Sequence, residues 1–373
     1  MGFDFAELRR RPDVEAPNLF AADAADRLIL DEAADLLAAQ EPNALAIVND
    51  GYGALTLGAA ALHGATGVRT HQDALSGERA LAANAEHLGL TSSYRSVPEL
   101  GSDLLTGARV VLLRLPRGLD ALDEIAQQVA AFAHPEVVVV AGGMLKHMTT
   151  AMNDVLAAHF ARIDVTLARQ KARVLIARGP RSTHSSWPKR VHVETLDLEV
   201  VAHGAAFAGA SVDIGTRLLL AHIDDAMTDA DAAIDLGCGT GVIATALARR
   251  RPHIAVLATD QSAAAVASAR ATVAANGVAD RVTVVRDDAL TSQPDGSARF
   301  IALNPPFHIG ATVHAGIALK LFADAGRVLA PGGELWTVWN SHLRYRSALE
   351  RLVGPTRQIA RNPTFTVTAS RRR

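Results

Sequence analysis

The sequence predicts an α/β protein made of two doubly wound domains. Two segments each alternate short β-branched runs with alanine-rich helical runs, which is the pattern of a parallel sheet covered by helices. A length of 373 residues with 49% hydrophobic side chains suffices for two sizeable cores. Residues 178–190, rich in proline, serine and basic side chains, are expected to form a linker. We therefore expect one domain over residues 1–185 and a second over residues 190–373.

The second segment has the clearer elements. Its candidate strands are residues 233–236, 254–259, 282–286, 300–303 and 334–338, with helical stretches between them. Ser262 suits a helix N-cap and the pair Asn276 and Gly277 suits a left-handed stop. These signals predict a helix over residues 263–275.

The first segment repeats this order weakly. Three short stretches of the first segment, residues 70–84, 112–116 and 141–145, parallel residues 259–276, 301–305 and 331–335 in that order. Similarity in the same order indicates a duplicated domain, and no short-period repeat is visible.

Composition narrows the function classes. Lys+Arg 37 against Asp+Glu 39 gives a net charge of -2, so any nucleic-acid contact must use local basic patches. A single cysteine excludes an intramolecular disulfide, and the histidines lack metal-ligand spacing, so no metal is expected. No export signal is readable, and no apolar run approaches the roughly 20 residues of a membrane span. The protein is expected to be cytoplasmic and without a membrane partner.

A glycine-rich turn predicts a cofactor site in the second segment. Gly237, Gly239 and Gly241 close a predicted strand and open a helix, where glycines let a ligand approach outward-pointing N–H groups. Asp260 ends the next predicted strand and is positioned to accept hydrogen bonds from ribose hydroxyls. The alternative is a tight structural turn with a solvated aspartate.

The stretch Asn304, Pro305, Pro306 and Phe307 predicts the reacting centre. It follows a candidate strand, and two prolines leave carbonyl oxygens presented at the carboxyl edge of the sheet, where α/β ligands bind. The Asn304 side-chain oxygen and the Pro305 carbonyl would accept the two hydrogens of an exocyclic amine. Phe307 would stack on the ring. Alignment and hydrogen bonding would supply most of the catalysis, without a strong general base.

These motifs resemble a known family. The order D-x-G-x-G-x-G from Asp235 resembles motif I of S-adenosylmethionine-dependent methyltransferases, and N-P-P-F resembles the N-P-P-[FYW] amino-methyltransferases. Residues 212–219, a histidine after N-P-P-F, and residues 333–340 are similar to the two-domain ribosomal RNA guanine-2-methyltransferases. Residues 47–55 and 141–147 resemble the large-subunit enzymes more than the small-subunit ones.

The resemblance implies two Rossmann-like (class I) methyltransferase domains, the N-terminal one degenerate. It implies S-adenosylmethionine as cofactor and methylation of the exocyclic 2-amino group of a guanine in ribosomal RNA. The RNA partner would be protein-free or partly assembled. Two alternatives stay open: methylation of a protein glutamine side chain, and a catalytically silent RNA-binding protein.

The resemblance also assigns residue roles. Asp235 would act on the amino-acid end of the cofactor, directly or through water, Asp260 on the ribose and Asp288 on the adenine amino group. The full set of expected cofactor-binding residues is Asp213, Gly215, Thr216, Asp235, Gly237, Cys238, Gly239, Gly241, Asp260, Gln261, Asp287, Asp288, Ala289 and Asn304. One departure is residues 207–210, which read Phe-Ala-Gly-Ala where the family has Phe-Ser-Arg, so a polar and a basic contact near the cofactor are missing.

The first segment lacks the cofactor motif. The stretch 49–53 does not follow D-x-G-x-G-x-G, His71 replaces the ribose acid and Leu115 replaces the asparagine. We expect that this domain binds no cofactor and instead recognises RNA or supports the catalytic domain, as the resemblance implies.

Overall fold

The computed structural model describes residues 3–181, 185–306 and 311–373, with side chains from residue 316 onward in the last range. The chain divides into two compact units, Met1–Trp187 and Pro188–Arg373. The expected linker over residues 178–190 is too long, because one strand continues to Pro180 and the next begins at Lys189. The connection is therefore confined to the residues between those two strands.

The first unit begins with two helices and then alternates strands and helices. Its elements in chain order are α1 (Ala24–Glu32), α2 (Ala34–Ala38), β1 (Leu45–Val48), α3 (Ala54–His63), β2 (Val68–His71), α4 (Leu75–Leu88), β3 (Tyr94–Ser96), α5 (Ser102–Leu105), β4 (Val110–Arg114), α6 (Leu119–Phe132), β5 (Val138–Met144), α7 (Ala151–His159), β6 (Phe160–Val165) and β7 (Ala172–Pro180).

The second unit begins with a hairpin and then follows the same order. Its elements are β8 (Lys189–Val193), β9 (Leu198–Ala202), α8 (Ile214–Leu220), β10 (Ala232–Leu236), α9 (Val242–Arg250), β11 (Ala255–Asp260), α10 (Ala263–Ala275), β12 (Val282–Arg286), β13 (Ala298–Leu303), α11 (Ala311–Val328), β14 (Leu329–Asn340), α12 (Arg346–Leu352), β15 (Thr356–Arg361) and β16 (Phe365–Arg371).

Each unit contains a seven-stranded sheet with the same topology over the described residues. The order is β3-β2-β1-β4-β5-β7-β6 in the first unit and β12-β11-β10-β13-β14-β16-β15 in the second. In both, the first five strands of that order pair in parallel, and the sixth strand pairs antiparallel with both of its neighbours. The expected α/β class with two methyltransferase-like domains is confirmed, and the shared topology supports the duplication.

The central strands form because short apolar runs are buried on both faces. All four residues of β1 are buried, as are the last four of β10, where the sequence places aspartate among alanine, isoleucine and leucine. The helix α10 has the predicted bounds, and the Ser262 hydroxyl caps it by accepting from Ala265 N. Gly277 has the left-handed φ of 66° that the stop requires.

Strand register aligns the two units residue by residue. Val48 pairs with His71 and Leu113, and Leu236 pairs with Thr259 and Leu303. The residues that follow these partners therefore correspond: Gln72 to Asp260, and Arg114 to Asn304. The expectations that His71 and Leu115 stand at those positions were wrong by one residue.

The third predicted repeat was also out of register. Residues 331–333 lie at the start of β14, before its pairing with β13 becomes regular at Glu334, whereas Gly142 and Gly143 lie near the end of β5. The matching glycines in the two stretches are therefore not equivalent positions. Among the described residues, no helix is both long and apolar enough to cross a membrane.

Candidate active site

A cleft opens at the carboxyl ends of β10 and β13. Its lining comes from the loop before α8, from the start of α8, from the glycine turn and from the residue after β13: Phe207, Ala208, Ser211, Val212, Asp213, Thr216, Gly237, Cys238, Gly239, Thr240, Val242, Ile243 and Asn304. This is the edge of an open α/β sheet where ligands bind.

Two of the three glycines in the turn face open space. Gly237 and Gly239 have φ of 69° and 54°, and a Cβ on either would meet no described atom within 4 Å. These two positions therefore form a cradle that a ligand can enter closely. Gly241 differs, because a Cβ there would lie 2.9 Å from the Ala269 Cβ. Glycine at position 241 is therefore needed for the packing of α9 against α10, and its contact with the cofactor stays a prediction.

Asp260 fixes the shape of the glycine turn. Its Oδ2 accepts from Gly239 N at 3.0 Å, and its Oδ1 accepts from Ser262 N at 2.9 Å. The carboxylate thus ties the end of β11 to the turn and to the start of α10. Asp260 is only partly buried, and its bond to Gly239 N places it beside the cradle.

Asp235 lies beneath the turn and does not line the cleft. It is fully buried, and its Oδ2 accepts from Ala244 N in the first turn of α9 at 2.9 Å. Burial, with a smaller contribution from the Asp260 charge, raises the pKa of Asp235 to about 7. Its Oδ1 has no hydrogen-bond partner among the described residues. Contact with a ligand through water remains a prediction, while the capping of α9 is a role that the sequence did not indicate.

Cys238 is a buried thiol within the turn. Burial and the nearby charges of Asp260 and Asp235 raise its pKa well above the ordinary value. A protonated thiol is a poor nucleophile, so Cys238 serves as part of the cleft wall.

Asn304 follows β13 and is held by two residues at the start of α8. Its Nδ2 donates to Thr216 Oγ1 at 2.8 Å and to Asp213 Oδ2 at 3.2 Å. Asp213 also caps α8 by accepting from Gly215 N at 2.8 Å. The Asn304 Oδ1 is buried and has no donor among the described residues. Asn304 therefore lines the cleft and has an acceptor that no described group uses.

The rest of the N-P-P-F stretch is only partly described. Pro305 is buried and Pro306 is half-buried, and neither has an N–H to donate. Phe307 and His308 lie outside the described residues. The stacking role of Phe307 stays a prediction.

Two residues expected to bind the cofactor, Gly215 and Asp287, also have structural roles in the fold. A Cβ on Gly215 would lie 2.9 Å from Asp213 Oδ2, so the N-cap requires glycine there. The Asp287 carboxylate accepts from the backbone and hydroxyl of Ser292, from Thr291 and from Asp288 N. Burial alone would raise the pKa of Asp287, but these hydrogen bonds lower it overall. Its oxygens therefore hold a turn.

The remaining expected residues lie around the end of β12 and β11. Asp288 is buried and forms an ion pair with Lys320 of α11 at 2.5 Å, a partner that sequence reasoning missed. Ala289 is buried and has a φ of 57°, and Gln261 keeps a buried Oε1 without a partner among the described residues. Neither they nor Asp288 line the cleft, so their cofactor contacts remain predictions.

The cleft residues fit the cofactor that the sequence resemblance implies. The cradle at Gly237 and Gly239 admits a ligand at the start of α9, and Asn304 in the cleft wall keeps an acceptor without a donor among the described residues. Sequence reasoning missed the apolar wall of Val242 and Ile243, which follows directly from the first turn of α9. No cluster of three or more His, Cys, Asp or Glu within the described ranges suits a metal ion.

Comparison with known proteins identifies both units. Residues 2–181 match the RLMG N-terminal domain family, and residues 197–369 match the Methyltransferase small domain family. A solved T. thermophilus 16S rRNA N2 guanine methyltransferase, RsmC, in complex with AdoMet and guanosine is 21% identical, with a TM-score of 0.71 over 99% of this chain and 100% of its own. This likeness supports the fold.

Sequence relatives extend over the whole chain. Ribosomal RNA large subunit methyltransferase G of Ectopseudomonas mendocina (strain ymp) is 35% identical over 98% of this chain and 97% of its own length. The protein of the same name from Pseudomonas aeruginosa (strain UCBPP-PA14) is 35% identical over 97% of this chain and 96% of its own length. The resemblance found in the sequence is confirmed, and the chain belongs to the ribosomal RNA large subunit methyltransferase G family.

Proposed function

We propose that this protein transfers a methyl group from S-adenosylmethionine to the exocyclic 2-amino group of a guanine in large-subunit ribosomal RNA. The observation that carries the proposal is the unused Asn304 Oδ1, held in the wall of a cleft that ends in a glycine cradle. The chain belongs to a family whose members are named for methylation of that RNA. The RNA partner would be protein-free or partly assembled. A single, free cysteine suits a reducing compartment, which fits action in the cytoplasm.

The described residues suit the handling of an amine. The Asn304 Oδ1 has no donor among the described residues, and Pro305 and Pro306 have no N–H, so Oδ1 and the Pro305 carbonyl can take the two hydrogens of the 2-amino group. S-adenosylmethionine, when bound beside these residues, would supply an electrophilic methyl group to that nitrogen. The amine becomes acidic only as it is alkylated, so the chain needs no buried base, and the released proton goes to water.

The test is nucleoside analysis of RNA incubated with the purified protein. Protein-free large-subunit and small-subunit ribosomal RNA are each incubated with S-adenosylmethionine, digested and examined by mass spectrometry. The proposal expects N2-methylguanosine in the large-subunit RNA. Methylation of the small-subunit RNA alone would contradict the large-subunit assignment, and methylation of glutamine in a ribosomal protein would contradict the RNA substrate.

We further propose that the first unit contributes RNA contacts and binds no cofactor. A basic group lies at the carboxyl edge of its parallel strands, where the exposed Arg117 Nη2 lies 3.3 Å from His147 Nε2 and Lys146 is exposed beside them. Partial burial and then the charges of Arg117 and Lys146 lower the pKa of His147, as expected for a concentrated positive field. Such a field suits phosphate contacts.

Replacement of two of these residues tests the RNA contact. The double variant Arg117→Ala and Lys146→Ala is expected to lower RNA affinity and to reduce the slope of log affinity against log salt by about 1 to 2. Arg109→Ala, which removes an exposed arginine paired with Glu136, is the matched control. An unchanged slope in the double variant, with cofactor affinity intact, would remove this edge from the RNA interface.

A further inference from the structure

We propose that Thr216 and Asp213 are positioning residues that set the orientation of the Asn304 amide. Both were expected to bind the cofactor. The inference rests on the proposed amine methylation, and it explains how one asparagine presents an acceptor, and not a donor, to the target nitrogen.

Hydrogen-bond chemistry fixes the orientation. An asparagine amide can turn over and exchange its donor and acceptor ends. Asp213 Oδ2 accepts from Gly215 N at 2.8 Å and Thr216 N at 3.3 Å, as a helix N-cap carboxylate does. An ionised carboxylate has only acceptors, so the Asn304 atom that faces it at 3.2 Å must be the NH₂ group. The reversed amide would place two oxygens against each other.

Thr216 holds the amide in the orientation that Asp213 selects. Its Oγ1 lies 2.8 Å from Asn304 Nδ2, which is the shorter of the two contacts, and Thr216 itself is buried. Both N–H groups of the Asn304 amide are therefore used by α8, and Oδ1 is the end that remains. A target amine placed against Oδ1 can only donate, so its nitrogen lone pair is left free to point elsewhere.

The first unit has a similar contact between a helix start and the residue after a central strand, but there the contact leaves no acceptor for a ligand. Asp23 is the N-cap of α1 and Asp26 is three residues later, as Asp213 and Thr216 are at α8. Arg114, which corresponds to Asn304 by strand register, donates to both aspartates at 2.5 to 2.9 Å. The helix start thus selects a donor side chain in both units. Arginine has no acceptor to offer, whereas asparagine keeps one.

Two variants distinguish a positioning role of Thr216 from a role in stability alone. Thr216→Val keeps the shape and removes the hydroxyl, and Thr216→Ser keeps the hydroxyl and removes a methyl group. We expect kcat for methylation of protein-free ribosomal RNA to fall about 10- to 100-fold in Thr216→Val, because the reacting groups lose alignment. The KM for RNA and the cofactor affinity, measured by calorimetry, should change less than about 3-fold. Thr216→Ser should restore kcat to within about 3-fold of the wild type.

Thr272→Val is the matched control. Thr272 is a buried threonine of the same unit whose hydroxyl bonds the backbone of Val201, away from the cleft. Loss of the Thr272 hydroxyl should lower the melting temperature and leave kcat unchanged. A Thr216→Val enzyme with normal kcat, or a Thr216→Ser enzyme as impaired as Thr216→Val, would overturn the proposal.

A second variant tests the orientation by pH. Asn304→Asp places a carboxyl 3.2 Å from Asp213 Oδ2, and two like charges at that distance raise the pKa of the new group. Only its protonated form can donate to α8 and still present an oxygen, so activity relative to wild type should rise as pH falls from 8 to 5.5. A flat ratio across this range would contradict the inference. A wild-type enzyme that forms no N2-methylguanosine would instead defeat the proposed function.

Discussion

Arg114 donates two hydrogen bonds to the carboxylate of Asp23, at 2.5 and 2.7 Å, in the place where the second unit has Asn304 and Asp213. The duplicated fold has thus kept one contact between a helix start and the end of a central strand. In the first unit this contact is an ion pair with no acceptor left over. In the second unit the contact is made by a neutral amide, whose Oδ1 has no donor among the described residues.

Removal of Arg114 should destabilise the first unit without affecting the cofactor. Burial raises the pKa of Asp26 to about 6 even with Arg114 opposing the shift, so Arg114→Leu leaves a costly buried acid. We expect a loss of roughly 2 to 4 kcal/mol, because one partner of a largely buried ion pair is removed. Arg109→Leu, at an exposed pair, should cost less than about 1 kcal/mol.

Unfolding by denaturant, followed at several pH values, measures this cost. The defect of Arg114→Leu should shrink below pH 6, since Asp26 then becomes neutral and no longer needs a partner. Calorimetry should find one S-adenosylmethionine site per chain in both the variant and the wild type. Altered cofactor affinity in Arg114→Leu would contradict the view that the first unit holds no cofactor.

Replacement of Asp260 should weaken cofactor binding for two reasons. Asp260→Ala removes a charged acceptor that is expected to meet the ribose, and it also releases Gly239 N from the turn. The loss of a hydrogen bond to a charged group costs about 1.5 to 3 kcal/mol, which is roughly 10- to 150-fold in affinity. Calorimetry measures this loss of affinity directly. Normal affinity in Asp260→Ala would remove it from the site.

The buried acid beneath the glycine turn should make stability depend on pH. Because burial raises the folded-state pKa of Asp235 from 3.8 to about 7, the folded protein binds a proton that the unfolded chain releases above pH 4. The contribution of Asp235 to the free energy of unfolding is therefore largest below pH 4 and is lost as the pH rises to about 7.

Asp235→Asn tests this relationship. The amide keeps an oxygen for Ala244 N and cannot ionise, so the decline between pH 4 and pH 7 should become shallower by roughly 1 to 4 kcal/mol. Denaturant midpoints of the variant and the wild type at pH 5 and pH 7.5 provide the comparison. A variant with the same decline as the wild type would show that Asp235 is already ionised in the folded protein.

Local signals predicted part of the fold and of the site. The helix Ala263–Ala275 could be predicted because its cap and its stop lie within its own sequence. The placement of Asp260 and Asn304 at the same edge of the sheet could be predicted, because parallel strands have their carboxyl ends at one edge. The antiparallel pair β15 and β16 was not predicted, since pairing between distant strands leaves little trace in either one.

Roles that depend on distant neighbours could not be predicted from the sequence. Gly241 is required by Ala269, and Gly215 by its contacts with Asp213 and Phe365. Each looks like a ligand-binding glycine until the packing is known. The one-residue errors at Gln72 and Arg114 have a similar cause, because register is set by pairing between strands and not by the similarity of short stretches.

Single-turnover methylation of protein-free large-subunit ribosomal RNA by Asn304→Ala tests most directly whether Asn304 orients the target amine. Calorimetry on the same preparation measures binding of S-adenosylmethionine. Loss of one hydrogen bond made in the transition state costs on the order of 10²- to 10³-fold in rate, and misalignment adds to it. We expect Asn304→Ala to lose at least that much of the methylation rate, with the affinity for S-adenosylmethionine nearly unchanged. Near-normal turnover by Asn304→Ala would contradict the claim that this side chain orients the amine.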